Sequence, residues 1–119
     1  NCIYQDMDEK DYSSFHLLKM VNNEVIAYAR LLPIGVSYAK DCSIGRVCTH
    51  SQYRNTGLGE ELMLASIQYC SQLFSNSKLI RISAQSYLEV FYTRLGFQAT
   101  GKNYLEDNIP HMEMIFEMR

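Results

Sequence analysis

Long apolar runs are missing from the 119 residues. None approaches the about 18 residues that a bilayer-crossing helix needs, and no signal-peptide pattern opens the sequence, so no membrane association is expected. A basic excess is missing as well. Eleven Lys and Arg against thirteen Asp and Glu give a formal charge of −2, which offers no electrostatic footprint for nucleic acid or an anionic membrane. Paired cysteine spacing is a third absence. Cys2, Cys42, Cys48 and Cys70 form no C-x-x-C, and without secretory context an even count does not imply disulfides. Free thiols in a reducing, cytoplasmic setting are the expectation. Cys48 and His50 would share one face of a strand, but two ligands do not make a zinc site and no second cluster completes one, so no metal is expected.

What is present suits one α/β domain. Apolar residues make up 47% of the chain, and a chain of this size can bury roughly two-thirds of its unfolded surface without staples. Residues 1–14 are polar and read as loop. Asp6, Asp8, Glu9 and Asp11 crowd together there, without the glycine and terminal Glu of a calcium loop. Two β-rich runs, 15–21 and 25–32, flank Asn22-Asn23-Glu24, a tight hairpin signal. A run at 43–50 reads as a buried strand.

From 57 to 74 the period changes: Leu58, Leu62, Met63, Ala65, Ile67, Tyr69, Cys70, Leu73 and Phe74 form a wide helical stripe. A strand follows at 79–84. Ser86 can cap a second helix that runs to Leu95, which Gly96 ends. Strands at 97–100 and 111–118 close the chain around an acidic turn at 104–110. This order predicts a mixed, mostly antiparallel sheet whose parallel step spans the long helix. The alternating Met112, Met114, Phe116 and Met118 could pair with a second subunit if exposed, giving a homodimer.

The densest chemical signal is Arg54-Asn55-Thr56-Gly57-Leu58-Gly59, set between the buried strand and the long helix. The glycines permit a sharp turn and close backbone approach. The first helical N–H groups are unpaired and carry the positive end of the dipole, and Arg54 adds a cation. Together these make an anion seat suited to a phosphate or pyrophosphate. No Lys-Ser/Thr follows the second glycine, so it is no P-loop. The third glycine of a dinucleotide fingerprint is also missing.

Arg-x-x-Gly-x-Gly after a strand resembles the acetyl-CoA pyrophosphate motif of the GNAT acetyltransferase superfamily. Gln85 followed by Phe91-Tyr92-Thr93-Arg94-Leu95-Gly96-Phe97 resembles that superfamily's second motif. Tyr4–Asp8, Ile44-Gly45-Arg46-Val47, and Ala84-Gln85 with residues 104–111 resemble its ElaA-like branch, so the resemblance covers essentially the whole chain. It implies a GNAT-like mixed, mostly antiparallel sheet with a central splayed pair of parallel strands and flanking helices. Residue 1 is Asn rather than Met, and the resemblance implies a further strand and helix ahead of it.

The implied activity is acetyl-CoA-dependent transfer of an acetyl group to a primary amine, with acetyl-CoA as cosubstrate. Val47, Cys48 and Thr49 would meet the pantetheine through their backbones, Arg54 to Gly59 the pyrophosphate, and Gln85 and Tyr92 the region near the sulfur. Tyr92 holds the family's position for protonating the departing thiolate, which suits a phenol of pKa about 10. Placing two reactants in one cleft supplies much of such a rate, since effective molarities reach about 10⁵ M or more. The absence of any Cys-His or Ser-His constellation at recognisable spacing fits direct transfer.

The acceptor amine needs a base. His111, with an ordinary pKa of about 6.5, is the first candidate; Glu106 and His50 follow, and Arg46 could bind an acidic group on the acceptor. His16 reads as a hairpin residue. The alternative from another class is a catalytically degenerate module that binds acyl-CoA or a partner without turnover.

Overall fold

The computed structural model describes residues 13–53 and 55–118. Three strands come first: β1 (Phe15–Val21), β2 (Glu24–Leu32) and β3 (Ser43–Thr49). Helix α1 (Leu58–Leu73) follows, then β4 (Leu79–Gln85), the short helix α2 (Glu89–Arg94), β5 (Gln98–Glu106) and β6 (Ile109–Glu117). Two hairpin loops rest on paired left-handed residues: Asn22 and Asn23 at φ 51° and 63°, Asp107 and Asn108 at φ 53° and 62°. Two-residue hairpin loops need that conformation, and Asn and Asp are the side chains that tolerate it best. The expected acidic turn at 104–110 therefore contracts to Asp107–Asn108, because Tyr104 and Leu105 pair with His111 and Pro110 instead of looping.

The strands form two antiparallel three-stranded sheets, ordered β1-β2-β3 and β4-β6-β5. Among the described residues, the ladders join through one parallel bridge, Cys42 to Ile80. There the Arg81 N–H donates to the Cys42 carbonyl at 3.0 Å. Ser77 ties the same corner. Its hydroxyl accepts the Cys42 N–H at 3.0 Å and donates to the Leu79 carbonyl at 2.6 Å. Arg81 Nε reaches Asp41 Oδ2 at 2.7 Å across the seam. Beyond this hinge β3 and β4 share no ladder among the described residues, and the two sheets part toward the carboxyl ends of both strands.

Helix α1 packs on β2 and β3 through Leu58, Leu62, Met63, Ser66 and Cys70. The buried stripe is narrower than the sequence suggests, since Tyr69 and Leu73 stand 46% and 44% exposed. A single sheet face covers one side of the helix and leaves its flanks in water. On the other sheet, Ile80, Ile82 and Ala84 pair with Phe116, Met114 and Met112. Met112 and Met114 are buried in the main core cluster. The condition for a subunit-pairing methionine face is thus not met.

Two further expectations change. The second helix opens as a 3-10 turn at Ser86–Leu88, with Gln85 rather than Ser86 at the cap position. Cys42 and Cys70 are free and buried, and the hydrogen bond to Cys42 together with burial pushes the Cys70 thiol up. Cys48, however, is disulfide-bonded, against the expectation of free thiols throughout. Its partner lies outside the described residues. A disulfide depends on two Cα atoms meeting in space, which spacing along the chain does not report.

The hinge gives a direct test. Ser77→Ala removes the acceptor of a fully buried N–H, so it is expected to lower stability by about 1–3 kcal/mol, read as a lower urea midpoint with an unchanged slope.

Candidate active site

The parting strands create the site, and the sequence of β3 helps to part them. Tyr28 pairs with Cys48 and Arg30 with Gly45, so Arg46 and Val47 together face Ala29 alone. That is a β-bulge, and Arg46 carries it at φ 49°. Bulges bend a strand and free backbone groups from the ladder. A non-glycine residue held left-handed costs about 1–3 kcal/mol and clusters at functional sites. Val47 belongs to the bulge, whereas Cys48 and Thr49, also expected to meet the pantetheine, rejoin the ladder opposite Tyr28 and Ala27.

Beyond β3 the chain makes a 3-10 turn at Ser51–Tyr53 and enters the glycine junction. Arg54 lies outside the described residues, as does the 1–12 stretch with Tyr4–Asp8 and its four carboxylates. The Thr56 hydroxyl bonds the Tyr53 carbonyl. Asn55 and Gly57 are left-handed, at φ 64° and 86°. Gly57 caps α1 without any side-chain cap bond, and the Glu61 N–H to Gly57 carbonyl bond, 3.0 Å, closes the first turn. The N–H groups of Leu58, Gly59 and Glu60 precede that bond and point out of the helix end. A Cβ on Gly57 would meet nothing within 4 Å, whereas one on Gly59 would lie 3.8 Å from the Phe91 ring. The open flank belongs to Gly57, and Gly59 instead admits α2 beside α1.

Tyr92 is held by the end of α2. The Phe97 N–H bonds the Tyr92 carbonyl at 3.1 Å and the Gly96 N–H bonds Thr93 at 3.0 Å. This is a Schellman ending, with left-handed Gly96 at φ 108°. Its apolar contact is Tyr92 against Phe97, edge-on at 5.7 Å, and Phe91 packs edge-on at 5.1 Å from the other side. Burial, then the charge of Tyr87, pushes the Tyr92 phenol above its ordinary range. It therefore stays protonated and able to donate across neutral pH.

The opposite face of β4 and β6 is polar. Arg81, Ser83 and Gln85 alternate along β4 beside Ile115, Glu113 and His111 of β6. Arg81 bridges Asp41 at 2.7 Å and Glu113 at 3.3 Å. Tyr38, from the loop before β3, shares this environment. Burial raises its phenol to about 12, followed by the charges of Tyr104 and Glu113. His111 is buried, with Nδ1 2.8 Å from the Ile109 carbonyl and Nε2 3.7 Å from Glu106 Oε2. Since a carbonyl only accepts, Nδ1 carries a hydrogen, and in the neutral ring Nε2 then presents its lone pair.

The structure thus brings His111, Glu106 and Gln85 to the open end of the seam. Gln85 is the direct cross-strand partner of His111, and the next pair is Ala84 with Met112. Tyr92, on α2, thus packs in the core cluster that Ala84 and Met112 also enter, while His111 pairs with Gln85 on the polar side of the β4–β6 ladder.

His50 is placed differently. Its Nδ1 accepts the Gln52 N–H at 3.1 Å and its Nε2 faces Glu24 at 3.1 Å, so both nitrogens are engaged at the strand end. His16 stays a hairpin side chain, 2.7 Å from the Tyr28 hydroxyl. Ser83, Glu113, Tyr38 and the Arg46 bulge escaped the sequence reading. Only the period-two polarity of 81-83-85 and 111-113 signalled such a face.

The acetyltransferase (GNAT) domain pattern matches residues 1–118. A UPF0039 protein of Schizosaccharomyces pombe is 39% identical over 118 residues, covering 98% of this chain and 77% of that protein. Among solved structures, an acyl-CoA N-acyltransferase from Pseudomonas aeruginosa is similar at TM-score 0.83 and 37% identity, over 97% of this chain and 77% of that one. Escherichia coli ElaA is similar at TM-score 0.84 and 32% identity, over 98% and 78%.

The Schellman ending predicts one sensitive position. A Cβ on Gly96 would sit 2.9 Å from the Phe116 ring at a left-handed φ. Gly96→Ala is expected to cost about 1–3 kcal/mol and to change the near-ultraviolet dichroism of the Tyr92–Phe97 pair.

Proposed function

The chain belongs to the GNAT acetyltransferase family, in its ElaA-like branch, and from that premise we propose that it moves the acetyl group of acetyl-CoA directly to a primary amine. The observation that carries this reading is a phenol kept protonated in the core cluster it shares with Ala84 and Met112, together with the His111–Glu106 pair on the polar side of the same two strands. The geometry suits acetyl-CoA on three counts: a bulge in β3 at Arg46 and Val47, an uncapped helix amino terminus, and open space on the Gly57 side of that helix. Residues 47–49 would hold the pantetheine arm by backbone bonds. Asn55, Thr56, Gly57, Leu58 and Gly59 would hold the pyrophosphate, with Arg54 beside them. Acetyl-CoA supplies an activated thioester, and the protein's own groups manage the protons.

In this reading His111 Nε2 takes one proton from the acceptor ammonium, leaving a neutral nitrogen able to attack. The Tyr92 hydroxyl gives its proton to the departing sulfur. The nitrogen's second proton restores the phenol, and the imidazolium returns its proton to water. The sum is ammonium plus acetyl-CoA giving amide, CoA thiol and one proton. The raised phenol supports the acid role, because a group that stays protonated is available whenever the sulfur leaves.

Two measurements test this. Tyr92→Phe keeps the ring packed between Phe91 and Phe97, so acetyl-CoA affinity and folding should hold while kcat falls roughly 10²-fold or more. Thiol release within about threefold of wild type would remove Tyr92 from the acid role. Calorimetric binding of acetyl-CoA without thiol release toward any amine would favour the non-catalytic module. Gly57→Asn keeps a residue that tolerates left-handed φ while filling the open flank. It is expected to weaken CoA binding at least about tenfold in a folded protein, and unchanged affinity would move the pyrophosphate elsewhere.

A further inference from the structure

We infer that Tyr104 is a positioning residue for proton transfer from the acceptor, acting through His111 and Glu106 with Ser83 as the link; this rests on the acetyltransferase reading above. Tyr104 and His111 are direct cross-strand partners, and their rings stack with centroids 6.2 Å and planes 18° apart. The Tyr104 hydroxyl donates to Ser83 Oγ at 2.5 Å. The Ser83 hydroxyl in turn donates to Glu106 Oε1 at 3.4 Å. The other Glu106 oxygen faces His111 Nε2 at 3.7 Å. One aromatic side chain therefore holds the imidazole by its face and the carboxylate through its hydroxyl.

The tautomer gives this closed arrangement a purpose. Nδ1–H is committed to the Ile109 carbonyl, so in the neutral imidazole the Nε2 lone pair faces a carboxylate oxygen that also only accepts. Two acceptors facing each other repel until a positive N–H comes between them. The ammonium of an acceptor meets that need before transfer, and the new imidazolium N–H meets it afterwards. Division of labour follows: His111 takes the proton, and Glu106 compensates the charge in both states. Glu106 keeps 56% of its side chain exposed, so without the Ser83 bond it is free to rotate into water and lose that geometry.

Among the described residues, the neighbouring charged and titratable groups do not replace it. On β4, Arg81 is engaged by Asp41 and by Glu113 of β6. From the loop before β3, Tyr38 stays neutral to about pH 12, through burial and then through Tyr104 and Glu113. On β5, Tyr104 and Glu106 are the groups at issue, and Lys102 stands exposed two residues before Tyr104.

The test compares two acceptors with wild type, Tyr104→Phe and Ser83→Ala. One acceptor is an alkyl amine, protonated at neutral pH; the other is hydroxylamine, already neutral there. Both variants should lose roughly tenfold in kcat toward the alkyl amine, with the acidic limb of the pH profile displaced. Hydroxylamine turnover and the KM for acetyl-CoA should stay within about twofold of wild type. An equal loss toward both acceptors, or no loss toward the alkyl amine, overturns the inference while leaving the acetyltransferase reading intact. A wild-type protein that acetylates neither acceptor overturns both. Nitrogen-15 spectra of the resting protein read His111 independently of turnover. The Nδ1–H tautomer is expected in wild type, and finding Nε2–H instead overturns the inference whatever the activity.

Discussion

The bridge between Cys42 and Ile80 holds two antiparallel sheets together at one end and lets them diverge at the other. Every group at the candidate site depends on that asymmetry. Were β3 and β4 a full parallel ladder, their backbone groups would be spent on each other and no substrate arm could enter between them. The hinge is therefore reinforced where it is closed. Ser77 satisfies a buried N–H across it, and Asp41 pairs with Arg81 over its polar side. The bulge at Arg46 does the opposite job, bending β3 out of register partway along its length.

A split sheet also solves a problem of access. The proton donor and proton acceptor of an acyl transfer must approach different atoms of the reacting group, from different directions. In the reaction proposed above those roles fall to Tyr92 and His111, which sit in different surroundings. Tyr92 packs among Phe91, Phe97 and the core residues of one face, where burial keeps its proton on. His111 lies on the other face, against Tyr104 and near Glu106, where a cation is welcome. Strand pairing fixes His111 between Gln85 and Tyr104, and the ending of α2 fixes Tyr92 against Phe97.

The glycines divide their work in a way that motif matching does not describe. Gly57 is required by its left-handed backbone and leaves its flank open. Gly59 sets the contact of α1 with Phe91. Gly96 ends α2 in the one geometry that turns Phe97 back onto Tyr92. The second motif therefore reads physically as a helix, its stop signal and the aromatic contact that orients the phenol.

Much of this was legible without coordinates. Period-two and period-3.6 patterns located the long helix and the six strands of the described residues, β5 only in its first part. Asn22-Asn23 announced its hairpin, and the glycine junction announced a helix amino terminus. Local sequence determined these because each depends on residues adjacent in the chain. What it did not determine were relations between distant segments: the disulfide at Cys48, the burial of the methionine face, and the engagement of both His50 nitrogens. The bulge belongs with them, because register is a property of two strands. So does the link from Tyr104 through Ser83 to Glu106, whose members lie on β4 and β5 with β6 between them. Sequence supplied the residue types that can hold and move a proton, and only the packing of two sheets at one hinge decided which of them face each other.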